Sequence, residues 1–198
     1  MPKFITVTGF KGGVAKSTVA FHLAEFLSDK GKTLLIDKDP NRTCLSWAGR
    51  GQLAFTVADD MEALRIVAGF DYIVFDTPAR PDSDDLKSYA KNEGLLILPC
   101  TPDIVSLEPM LAVAREIGKA NYRALIVIVP PAPAPEGQLI KDKLKAAGVP
   151  TFETMIRRTI LYPRAALAGC SVRELADSRA KEVWADIESL GREVLKLI

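Results

Sequence analysis

Residues 9 to 18 read Gly-Phe-Lys-Gly-Gly-Val-Ala-Lys-Ser-Thr and directly follow the apolar run Phe4-Ile5-Thr6-Val7-Thr8. Glycines, lysines and hydroxyls at this spacing suit one chemistry, the cradling of a phosphate. A buried strand passes into a glycine-bearing loop and then into a helix start. Backbone N–H groups of such a loop converge on one spot, and the helix dipole favours an anion there. Lys16 is placed to neutralise β- and γ-phosphates, and the Ser17 hydroxyl to ligate Mg²⁺. Gly12, Gly13, Val14, Ala15 and Thr18 complete the cradle. The fit to the pattern G-x-x-x-x-G-K-[ST] is incomplete, because Phe10 and Ala15 stand where glycines belong. A left-handed backbone at Ala15 would cost roughly 1–2 kcal/mol. A plain strand–helix turn with an exposed lysine is the alternative, and the strand context with the Lys-Ser-Thr run speaks against it. Lys11 lies five positions before Lys16. One lysine suffices for a phosphate held within the chain. A second can point away and reach a phosphate bound by a neighbouring chain.

Lys11-Gly12-Gly13-Val14-Ala15-Lys16-Ser17 resembles the motif K-G-G-x-G-K-[ST] of the deviant Walker A ATPases, the ParA/MinD family, and departs from it only at Ala15. The resemblance covers nearly the whole chain. It is specific over the first 80 residues and looser beyond, where Arg157-Arg158-Thr-Ile-Leu-Tyr-Pro-Arg-Ala-Ala-Leu-Ala-Gly-Cys-Ser-Val is similar to the family's late segment. It implies an ATPase using ATP and Mg²⁺, with Lys11 reaching across a nucleotide sandwich homodimer. Asp71-Tyr-Ile-Val-Phe-Asp76 is a buried strand ending in a carboxylate, the position from which an acid holds Mg²⁺ through a water. Asp37-Lys-Asp39-Pro-Asn41 resembles the family's D-x-D-P-[QN] segment beside the γ-phosphate. The resemblance gives Asp37 the water-orienting role and makes Asp39 its coupled neighbour at the dimer face, with the reverse assignment open. A capped turn before the next helix would explain Asp39 and Pro40 but not Asp37 at a strand end.

The elements that must hold these residues alternate. Strands are expected at Lys3–Thr8, Thr33–Asp37, Phe55–Val57, Tyr72–Asp76, Leu95–Pro99, Ala124–Val129 and Thr151–Met155. Helices are expected at Ser17–Lys30, Arg42–Gly49, Asp60–Ala68, Asp82–Asn92, Ile104–Lys119, Gly137–Ala147 and near Ser178–Leu197. Several strands are continuously apolar, as in sheets covered on both faces. The order predicts an α/β fold, a doubly wound and mainly parallel sheet flanked by helices, with ligands beyond the carboxyl ends of the strands. The 198 residues suit one domain, 1–198. Val129-Pro-Pro-Ala-Pro-Ala-Pro-Glu136 reads as an extended loop after a strand. It sits where the family often carries an Asn-containing base-recognition segment, which leaves adenine recognition open.

A formal charge of +1 gives no global argument for nucleic acid, so any DNA-binding patch must be local. Candidates are Arg157, Arg158, Arg179, Lys181, Arg192 and Lys196. The three cysteines, Cys44, Cys100 and Cys170, match no metal spacing and read as free thiols in a reducing cytosol. The single histidine, His22, reads as a packed or surface helix residue rather than a catalyst. No signal peptide or membrane-spanning run is visible, so a cytoplasmic, nucleoid-associated protein is expected.

The family resemblance then implies a positioning switch. ATP closes a dimer that binds DNA without sequence preference, and a ParB-like or McdB-like adaptor on a cargo stimulates hydrolysis. The cargo could be a plasmid, a chromosome region or a carboxysome. Two alternatives stand beside it. Membrane positioning as in MinD needs an amphipathic tail; Trp184, Ile187, Leu190, Val194 and Leu197 share a stripe, but one typical of a helix packed on its own sheet. A metabolic P-loop enzyme of dethiobiotin-synthetase type is opposed by Lys11 and the D-x-D-P segment.

Overall fold

The computed structural model describes residues 1–9, 11–79, 81, 83–91, 94–118, 120–133 and 135–198. Seven strands form one sheet: β1 (Lys3–Val7), β2 (Thr33–Asp37), β3 (Thr56–Ala58), β4 (Tyr72–Asp76), β5 (Leu95–Cys100), β6 (Tyr122–Val129) and β7 (Thr151–Arg157). Their order is β3-β2-β4-β1-β5-β6-β7, and every pairing is parallel. β1 is therefore the central strand, and the loop leaving it opens at the middle of the sheet's carboxyl edge. Register finishes the placement: Asp37 of β2 lies directly beside Asp76 of β4, and Asp76 beside Val7 of β1.

Both faces of the sheet are covered, which is why β2 and β5 are buried along their whole length. One face carries α1 (Lys16–Ser28), α2 (Thr43–Ala48), α7 (Leu161–Ala168) and α8 (Ala180–Leu195). The other carries α4 (Ser83–Lys91), α5 (Ile104–Ile117) and α6 (Glu136–Ala146), while α3 (Asp60–Ile66) closes a smaller core over β2 and β4. Strands and helices fall within two residues of the sequence expectation. The ends of the fourth and fifth expected helices at Asp82, Asn92 and Lys119 lie outside the described residues, as does Phe10. Among the described residues, one α-helix was not expected from sequence, α7, whose short run holds Pro163 in its first turn and ends at the left-handed Gly169. The apolar stripe of α8 is packed inward: Trp184, Ile187, Leu190 and Val194 are buried in the core with α1 and β7. No helix among the described residues is long and apolar enough to cross a membrane.

Candidate functional site: a phosphate cradle at the carboxyl edge

The loop after β1 turns into α1 through two left-handed residues. Gly13 has φ +74°, where glycine meets no steric penalty. Ala15, the residue before the helix, has φ 57° and ψ 28°. The position where glycine belongs thus demands a left-handed backbone and carries a methyl group, a strain of about 1–2 kcal/mol held by the surrounding fold. Lys16 opens α1 nearly buried, and its ammonium donates to the carbonyl of Lys11 at 3.4 Å, so the side chain curls back over its own loop. Burial lowers its proton affinity, and the charges of Asp76 and Asp39 work against that.

Two buried carboxylates face the loop. Asp76 is fully buried; its Oδ2 accepts from the Cys44 thiol at 3.3 Å, and its Oδ1 has no partner. Burial pushes its carboxyl up to about 6, while hydrogen bonds from Ser17 and Cys44 pull it down. A buried, half-satisfied acid beside the Ser17 hydroxyl fits a hard divalent cation, so this donor set matches Mg²⁺. Asp37 is held from both oxygens: Oδ1 accepts from Asp39 N–H at 3.1 Å and Oδ2 from Leu45 N–H at 3.0 Å. Burial raises its proton affinity, against the pull of these backbone donors. Asp39 is more open and is turned into a local cap, accepting from the backbone and side-chain nitrogens of Asn41, each at 2.9 Å. The first turn of α2 therefore grips both acids, through Cys44 on Asp76 and Leu45 on Asp37. Cys44 carries no sequence signal for this role; only the fold brings it there.

The two lysines part company. Lys11 leaves the cradle: its ammonium donates to Ser106 Oγ at 2.7 Å and lies 3.5 Å from Asp103 Oδ2, at the start of α5. Asp103 caps α5 through Ser106 N–H at 2.8 Å and also accepts from the Thr101 hydroxyl at 2.5 Å. The cap is legible in Thr-Pro-Asp-Ile-Val-Ser. Its meeting with Lys11, 95 residues before Ser106 in the chain, is a product of β1 and β5 being neighbours.

A family model for the CobQ/CobB/MinD/ParA nucleotide-binding domain matches residues 5–172, from β1 to the segment after α7. The chain belongs to this family. Among its relatives, the maintenance of carboxysome distribution protein A of Gloeobacter kilaueensis is 33% identical over 203 residues, covering 98% of this chain and 94% of the relative. Among solved structures, the ATP complex of a Cyanothece McdA variant superposes with a TM-score of 0.76 at 16% identity, covering 98% of this chain and 96% of that one. The Mg-ADP complex of the septum site-determining protein MinD from Pyrococcus horikoshii gives 0.74 at 18%, covering 100% and 97%.

The six basic residues singled out from sequence are not one cluster. Arg157 is bound to Asp186 at 2.8 and 3.0 Å and to Glu182, Arg179 to Asp177 at 2.9 and 3.0 Å, and Arg192 to Ser189 at 3.1 Å with Glu188 at 3.9 Å. Among the described residues, Arg158, Lys181 and Lys196 have side chains in no ion pair, and all three are exposed. Lys181 and Lys196 are 15 residues apart along one helix and its cap, hence about 22 Å. His22 is fully buried; Nδ1–H donates to Thr18 O at 2.8 Å and Nε2 accepts from Val172 N–H at 3.1 Å, pinning α1 to the segment after α7.

Proposed function

We propose that this chain is an ATP-driven positioning switch whose hydrolytic site is completed by a second copy. The observation that carries this reading is the division between its lysines. Lys16 alone turns into its own cradle, while Lys11 leaves it for Ser106 and Asp103 at the start of α5, a contact that the phosphate of a second copy would have to replace. In the hydrolytic state, Lys16 and the loop N–H groups counter the β- and γ-phosphates, and Ser17, with Asp76 through a water, would hold Mg²⁺. The metal would supply charge neutralisation at the transferring phosphoryl group. Asp37, fixed by two backbone N–H groups, orients the attacking water; burial makes it a better proton acceptor than an exposed aspartate.

The relative from Gloeobacter supports a carboxysome as the cargo; a ParB-like or McdB-like adaptor on that cargo would stimulate turnover. Binding to nucleoid DNA would come from pairing two copies, since a net charge of +1 gives a monomer little global attraction to DNA. The packed α8 stripe disfavours the membrane alternative. Analytical ultracentrifugation with and without ATP, followed by a gel shift on random duplex DNA and liposome sedimentation, tests the reading. An ATP-dependent dimer that shifts DNA supports it. A chain that stays monomeric with ATP, or a dimer that prefers liposomes, overturns it.

A further inference from the structure

Cys44 is fully buried in the first turn of α2, against the start of α1 and the end of β4. Its Sγ donates to Asp76 Oδ2 at 3.3 Å and lies 3.7 Å from the carbonyl oxygen of Ser17. One side chain therefore touches both residues whose chemistry fits Mg²⁺, the acid directly and the hydroxyl residue through its backbone. The motifs of the loop and of β4 do not include it, because it comes from a helix between them in the chain.

The backbone of Asp76 is already fixed. It pairs with Val7 on one side and Asp37 on the other, and its carbonyl accepts from Lys38 N–H at 2.9 Å. What remains free is the side chain, and the terminal torsion of a carboxylate is broad and turns easily. The Cys44 hydrogen bond engages Oδ2 and leaves Oδ1 buried and without a partner among the described residues. A thiol is a weak donor, so it can turn the acid without neutralising the charge that a cation needs. The thiol is itself held in place. Leu45 N–H donates to Asp37 Oδ2 and Trp47 Nε1–H to Cys170 O, each at 3.0 Å, which anchors α2 at both ends of its first turn. A metal-holding carboxylate kept in one orientation by an outer hydrogen bond from a rigid element is the arrangement that sustains metal affinity.

We propose that Cys44 is a positioning residue for the divalent cation: its S–H holds Asp76 by Oδ2 and reserves Oδ1 for the hydrated metal. The metal dependence of nucleotide binding is then set in part by a side chain of α2, and not by the loop and strand motifs alone. Affinity for the nucleotide without metal does not depend on it, since Cys44 reaches neither Lys16 nor the loop N–H groups. The inference rests on the nucleotide-binding reading above.

The test is calorimetric titration of the full chain with ADP, once in Mg²⁺ buffer and once in EDTA. The ratio of the two affinities is the coupling between metal and nucleotide, and it is read without any turnover. Cys44→Ala should cut that ratio by roughly tenfold and leave the affinity in EDTA unchanged. Cys44→Ser, which keeps a donor, should recover most of the ratio. An unmoved ratio in Cys44→Ala, an equal loss in both buffers, or a serine variant no better than the alanine one overturns the positioning role. Circular dichroism establishes that the variants are folded. If the smaller alanine side chain unfolds the chain, Cys44→Val, which fills the space without a donor, takes its place with the same expected loss. A parent chain that binds ADP equally in both buffers overturns the metal assignment and this inference with it. A parent chain that binds no ADP in either buffer sinks the nucleotide-binding reading itself, whereas an unmoved ratio in a metal-dependent chain sinks this inference alone.

Discussion

The phosphate side and the cavity side of the carboxyl edge are built in opposite ways. On the phosphate side, residues 11–18 and the acids at positions 37 and 76 are fixed by named polar contacts at the ends of three adjacent central strands. On the cavity side, the ends of β6 and β7 supply mixed walls: Ile128 and Ile156 beside Thr159, Tyr162, Arg157 and Arg158. The acids are already gripped by the fold, whereas the buried Tyr162 hydroxyl has no hydrogen-bond partner among the described residues.

The most severe break should come from removing charge. Lys16→Ala is expected to reduce ATP affinity by roughly a hundredfold or more, because a desolvated charge contact is lost outright. Calorimetry checks it, and retained micromolar binding would refute the cradle. A comparable energy sits in the joint between the two sides. His22 is held neutral by burial, with its proton affinity lowered from 6.5 to about 4. The folded pKa lies below the unfolded one, so the stabilisation is complete above about pH 6.5. It is lost as pH falls toward 4, by at most about 3 kcal/mol. Urea unfolding across that range should show the slope, and His22→Asn should flatten it. Next, Asp37→Ala should slow hydrolysis by roughly a hundredfold while changing ATP affinity little, so that the ATP dimer accumulates. Wild-type turnover in that variant would pass the role to Asp39.

Smaller changes sharpen the contrast. Ala15→Gly relieves the left-handed strain but loosens the unfolded chain, for a net gain of about 0.5–1 kcal/mol measured by thermal unfolding. An unchanged or lower stability would mean that the loop is not strained at that residue. Asp103→Ala frees Lys11 from an exposed ion pair of modest strength. ATP-dependent dimerisation should rise by about two- to fivefold in sedimentation, and no rise would show that the contact does not compete with pairing.

The same contrast decides what the sequence could tell. Strand ends were legible because continuous apolar runs stop at acids: Asp37 and Asp76 could be placed before any register was known, and the sheet sets them side by side. Lys11 was legible as the odd lysine, but its resting place against Ser106 and Asp103 depends on β1 neighbouring β5. Cys44 read as an inert thiol, since nothing in a local pattern says that α2 will turn it onto Asp76. α7 was missed because a short helix with proline in its first turn has a weak periodic signal. The cavity at the ends of β6 and β7 was invisible for a related reason. It is a space between elements far apart in sequence, and the prolines beside it mark only an extended loop.

Trp47 gives the phosphate side an optical handle. The indole is buried, stacked on Phe21 with ring centroids 4.0 Å apart, and donates through Nε1 to Cys170 O at 3.0 Å. It sits one turn beyond Cys44 on α2, the helix that grips both acids. Any rearrangement of Asp76 or Asp37 on filling the site has to pass through that helix. The indole then feels it as a change in stacking and in local polarity. Trp184, packed under the Arg173 guanidinium on α8, is the other tryptophan and lies away from the acids. With Trp184 replaced by phenylalanine, the chain carries a single tryptophan, on the helix that grips both acids, so that filling of the site would be readable in real time without a label.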